Sequence, residues 1–161
     1  FRESAPMGKM TPRERDIREL MKPGRLTRDG MLGDDPRAIE EIVAADAAAL
    51  EALGVTRAAL AARMRAVTEF ARAQLGDPAL FEDRLEVQAT ETRGGILCPF
   101  QHPGRFPKCV VTARDVKTGE EALWSWLSLH MIEQHGFFEG VGSVFRVDPE
   151  RTARILGLTP D

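Results

Sequence analysis

Three observations predict an α+β fold for this 161-residue chain. Apolar residues recur at helical spacing through the N-terminal half, strict alternation replaces them after Asp77 and Pro78, and a helical stretch returns before Gly136. A 43% hydrophobic content suffices for a true core. The expected division is a helical region over 1–76, comprising a short helix and an αα-hairpin, and a small α+β region over 77–161. The two could pack as one compact domain.

The elements follow in order. Thr11 and then Pro12 have the N-cap and N1 order, and Ile17, Leu20 and Met21 recur until Lys22, Pro23 and Gly24 stop a helix at 11–21. Residues 22–35, rich in Gly, Asp and Arg, read as an ordered loop. Asp35 and Pro36 repeat the cap signal for an alanine-rich helix to Leu53, closed by Gly54. Thr56 caps a further helix to Leu75, with Leu60, Met64, Val67 and Ala71 on one stripe. Leu85, Val87 and Ala89 then alternate with Glu86, Gln88 and Thr90 as a half-buried strand, which Gly94 and Gly95 break. Ile96–Phe100 and Phe106–Arg114 are expected as strands about a type II turn at His102-Pro103-Gly104-Arg105. Lys117, Thr118 and Gly119 turn the chain into a strand at Ala122–Trp126, where Trp124 and Trp126 share a face. A helix to Gly136 and a short one from Asp148 to Gly157 complete the chain.

Charge and composition exclude broad function classes. The net charge is −3, which disfavours a surface that coats nucleic acid. The charge is uneven: residues 1–30 carry eight basic and five acidic side chains, and residues 31–56 carry one and six. Apolar runs fall short of the roughly 20 residues that a membrane helix needs. The opening FRESAPMGKM lacks the apolar core of a secretory signal, and Met7 or Met10 is the expected start. The expectation is a cytoplasmic protein with free thiols, whose partner is another protein rather than nucleic acid or membrane.

All chemistry of the soft-ligand type is concentrated in one place. Cys98, His102, Cys109, His130 and His135 are every cysteine and histidine of the chain. Thiolate and imidazole within so short a span predict a metal site, zinc first. If Pro103 and Gly104 form a two-residue turn, Cys98 faces Cys109 across the hairpin, so the expected ligands are Cys98, Cys109, His130 and His135. With Cys98, His130 and His135 on one ion, the fourth position is open to Cys109, His102 or water. The order of two cysteines on a hairpin and two histidines on a helix, over residues 96–136, resembles a ββα zinc finger. It departs from that family in its wide cysteine spacing and in the extra strand before the helix.

An ideal helix sets residues five apart about 140° from one another, so His130 and His135 converge only if the last turn before Gly136 adjusts. The metal-free alternative makes both cysteines small buried hydrophobes and His130 a packed histidine. Other readings use the same region. Glu133 would be the general base of a small metal-dependent hydrolase, and Cys98 with His130 or His135 would be a nucleophile and base. Residues 50–65 have the turn of a helix-turn-helix, with Arg57, Arg63, Arg65 and Arg72 to offer phosphates. Glycine amides near Arg146 in HGFFEGVGSVFRVDP would suit an anion. The leading expectation is a zinc-binding protein acting as a binding or regulatory module.

Overall fold

The computed structural model describes residues 10–160, so the start expected at Met7 lies outside the described residues. In chain order come α1 (Pro12–Leu20), α2 (Ile39–Leu53), α3 (Arg57–Ala73), β1 (Ala79–Phe81), β2 (Leu85–Leu97), β3 (Arg105–Asp115), β4 (Glu121–Ser125), α4 (Trp126–His135) and α5 (Pro149–Ile155). The class is α+β: a helical N-terminal part followed by a four-stranded antiparallel sheet in the order β1-β2-β3-β4.

Side-chain caps start most of the helices. Thr11 Oγ1 accepts the Glu14 N–H, Thr56 Oγ1 accepts the Ala59 N–H and Asp148 Oδ1 accepts the Arg151 N–H. Helix α2 begins later than Asp35, because that carboxylate is engaged elsewhere. It takes Arg37 Nη2 at 2.6 Å, Arg37 Nε at 2.9 Å and the Val141 N–H at 3.1 Å. The Arg37 guanidinium, aided by that N–H, holds the Asp35 carboxyl well below the usual carboxylate range. α2 runs to the left-handed Gly54 and packs on α5, whereas α3 packs on the sheet and on α4.

The alternation on β2 does point Leu85, Val87 and Ala89 inward, but the strand continues past the glycine pair to Leu97. Gly94 and Gly95 make an irregularity between Thr92 and Gly95 rather than an end. β1, three residues paired to Leu85–Val87, was not anticipated. The chain also turns helical one residue earlier than expected. Ser125 and Ser128 bond each other's backbone N–H reciprocally and start α4 at Trp126. Trp124 is consequently alone in the core, its Nε1–H donating to Thr68 Oγ1 at 2.9 Å. Trp126 lies half-buried under Arg65 and Arg72.

Two apolar clusters result. The larger joins α3, the sheet and α5 around Leu60, Met64, Leu85, Val111 and Trp124, and it includes Cys109. The smaller joins Ile17, Met21, Met31 and Ile42 to Leu127, Met131, Phe137 and Cys98. Between them the loop after α1 and the loop after α4 meet backbone to backbone. Gly140 donates to Met31 O at 2.9 Å, and a Cβ at Gly140 would stand 2.2 Å from Leu32 O. No side chain fits at that crossing.

Candidate metal centre

The hairpin between β2 and β3 closes differently from the expected two-residue turn. Ile96 pairs with Phe106, Leu97 pairs with Arg105, and residues 98–104 form the connection. Past the irregularity the register brings Glu91, not Cys98, opposite Cys109. The reason is local. Pro99 has no N–H to extend the ladder, Gln101 N–H bonds Cys98 O at 3.0 Å, and Gln101 takes the left-handed conformation at φ 64°. The backbone N–H groups of Phe100 and His102 favour the Cys98 thiolate. The segment Cys98-Pro99-Phe100-Gln101-His102 is therefore wrapped around its own thiol.

That knuckle sits over the end of α4. The ligand atoms of Cys98, His130 and His135 all lie within 4.8 Å of one another. Cys98 Sγ is 3.6 Å from His135 Nε2, and His102 Nδ1 is 3.2 Å from His130 Nε2. His135 is the last residue of α4. Gly136, at φ 66°, lets the Gly136 and Phe137 N–H groups return to Ile132 O and Met131 O. The two imidazoles reach the same space at the helix end with their planes 78° apart.

Phenyl rings hold both imidazoles in place. Phe100 stacks on His135 at 4.3 Å between centroids, and Phe106 lies against His130 at 4.2 Å. Arg13 of α1 donates to Phe100 O, which ties the knuckle to the N-terminal helix. Neither phenylalanine nor Arg13 was singled out in the sequence. The only available signal was the position of Phe100 two residues after Cys98.

Burial sets the protonation of these groups. It pushes His130 down to about 4 and His135 below its ordinary value, so both imidazoles are neutral at pH 7 with nitrogen lone pairs available. Burial also raises the Cys98 thiol, against the two N–H groups that favour the thiolate. A soft divalent cation is what converts such a buried thiol to a ligand thiolate.

Of the four ligands expected, three come together and Cys109 does not join them. It is fully buried in the larger cluster and forms part of the wall of a cleft of about 330 Å³ with Thr90, Lys108, Ser125 and Glu139. His102 stands beside His130 instead. Glu133, the expected general base, is held by Arg65 through two bonds of 2.7 and 3.2 Å, and that guanidinium lowers its pKa. A carboxylate so paired has little basicity to offer a metal-bound water. Three of the four arginines of α3 are likewise engaged: Arg63 with Glu82, Arg65 with Glu133 and Arg72 with Glu91. Each of these would have to exchange a carboxylate for a phosphate to serve a recognition helix. Arg146, the expected anion contact, is taken by Asp46 through both of its terminal nitrogens.

Glu139 is the one acid in this region pushed upward. Burial raises its pKa to about 7, against a hydrogen bond from Ser143 Oγ at 2.6 Å and the nearby Arg146 charge. The folded state therefore holds the proton that the unfolded state releases above its ordinary pKa of 4.5. The resulting penalty is absent at pH 4, grows through the window from 4.5 to 7 and is complete above it. Glu139→Gln keeps an oxygen for Ser143 and removes the charge. It should flatten this decline and stabilise the protein at pH 8 by a few kcal/mol, on the order of the shift itself, with little change at pH 4.5. Urea midpoints of both proteins at the two pH values measure it, and equal gains at both would show that the charge is not the cause.

Compared with known proteins, the chain matches no family model, no curated protein and no solved structure.

Proposed function

We propose that this protein holds one zinc ion through Cys98, His130 and His135, and that it acts as a non-catalytic binding module whose C-terminal region the ion organises. The observation that carries the reading is the convergence of these three ligand atoms within 4.8 Å from two separate elements, the hairpin connection and the end of α4. Borderline-soft thiolate and imidazole donors favour zinc over magnesium or calcium. The engagement of Glu133 by Arg65 supports a structural rather than a hydrolytic ion. A module with a structural ion works through the surface the ion shapes, and a protein partner remains the proposed class of target.

Metal analysis tests this directly. Protein prepared without chelator or added metal should carry about one zinc per chain. Cys98→Ala or His130→Ala should lose it, and Glu133→Gln should keep it. Wild-type protein with no metal above background, which also fails to take up added zinc, would remove the reading. Hydrolytic turnover by the zinc protein that Glu133→Gln abolishes while the metal is kept would instead reinstate the hydrolase reading.

A further inference from the structure

We infer that His102 is the fourth ligand, so that the ion is closed off in a tetrahedral site of one thiolate and three imidazoles. The inference rests on the three-residue reading above and extends it.

Distances support it first. With metal–sulfur about 2.3 Å and metal–nitrogen about 2.05 Å, tetrahedral angles put sulfur and nitrogen ligands about 3.6 Å apart and two nitrogens about 3.3 Å apart. Cys98 Sγ and His135 Nε2 are 3.6 Å apart, and His102 Nδ1 and His130 Nε2 are 3.2 Å apart. These two pairs share no residue, and together they name all four ligands. The His102 ring also meets the His135 ring edge to face at 5.8 Å between centroids. His102 is exposed in the connection, so its imidazole can turn about its side-chain torsions to complete the set.

Spacing supports it independently. Cys98 and His102 are separated by three residues, and His130 and His135 by four. Zinc sites built on a knuckle and a helix use two to four residues between the first pair and three to five between the second. The wide gap from Cys98 to Cys109 violated that rule, and His102 in place of Cys109 satisfies it. The knuckle supplies the mechanism. The turn closed by the Gln101 N–H on Cys98 O at 3.0 Å holds Cys98 and His102 on one short connection, so the backbone that presents the thiol also carries the next ligand.

A closed shell has a defined consequence. Four protein ligands leave no position for water or substrate, so the ion joins the 98–104 connection to the end of α4 and does no chemistry. The competing account is a plain hydrogen bond between two imidazoles, since one can donate to the other at 3.2 Å.

X-ray absorption of the zinc protein and the visible spectrum of the cobalt-substituted protein separate the two. Closure requires one sulfur and three nitrogen neighbours, and tetrahedral cobalt bands with a single thiolate charge-transfer band. His102→Ala should keep the thiolate band, replace one imidazole by water and weaken zinc binding by at least the 10–100-fold that loss of even an outer partner costs. Lys117→Ala, an exposed control in the turn before β4, should change neither. A His102→Ala protein with wild-type affinity and an unchanged cobalt spectrum would overturn the assignment of His102 while leaving Cys98, His130 and His135 in place. Wild-type protein that binds neither zinc nor cobalt would overturn the three-residue site and this inference together.

Discussion

Chelation of the proposed ion is expected to raise amide exchange by about a thousandfold over residues 96–106, the last turn of α4 and helix α1, while α3 and the centre of the sheet change little. The magnitude follows from linkage: a ligand present at a thousand times its dissociation constant stabilises what it binds by about 4 kcal/mol. The distribution follows from the two apolar clusters. Cys98 belongs to the smaller one with Ile17, Met21, Met131 and Phe137, and Phe100 joins His135 to the Arg13 side chain of α1. Without the ion, three ligand groups and the two phenyl rings that orient them have little to hold the knuckle closed. α3, Leu85, Val111 and Trp124 lie in the larger cluster, whose cohesion owes nothing to the ion. Hydrogen exchange with and without chelator reads the pattern directly. A uniform rise across α3 and α1 would show one cooperative unit, and no rise at residues 96–106 would show that the ion stabilises nothing there.

What the sequence disclosed of this arrangement depended on how local the determinants were. The cap residues Thr11, Thr56 and Asp148 and the terminators Gly54 and Gly136 each act within one helical turn, so the helices were legible to within a few residues. Asp35 misled because its partners include Val141, far along the chain, and no local rule reports such a bond. β1 was missed because three residues carry no period to detect. The helical start at Trp126 was legible in principle, since Ser125 and Ser128 stand at the spacing of a reciprocal cap.

The site itself divides along the same line. Convergence of Cys98, His130 and His135 followed from residue type and from Gly136 ending the helix. The choice between Cys109 and His102 did not, because it turns on strand register. Register turned on whether the hairpin closes at Pro103 and Gly104 or through the longer connection 98–104, which the Gln101 N–H braces on Cys98 O. A wrong loop length transfers every cross-strand partner, and it moved Cys109 to a position opposite Glu91.

Asp46→Ala is expected to be the most damaging single change away from the metal centre, costing about 3–5 kcal/mol. Arg146 donates to Asp46 Oδ2 at 2.6 Å and Oδ1 at 2.8 Å, and to Glu139 O at 2.9 Å. Its side chain is only 17% exposed, and that of Asp46 7%. The guanidinium thereby fastens the loop after α4 to α2, and alanine at 46 would leave a desolvated cation facing one carbonyl. Losing a surface ion pair of the kind made by Lys22 and Glu19 costs far less, because water solvates both freed charges, so burial is what makes the difference. The cycle has a further expected result. Removing both charges, as Asp46→Ala with Arg146→Met, should recover most of the loss, because an uncompensated charge is more costly than an apolar contact in the same space. Urea unfolding of the two single variants and the double variant measures the coupling. If the double variant were as unstable as the sum of the singles, the pair would be separable contacts and the loop would owe its position to packing of Phe137 and Phe138 instead.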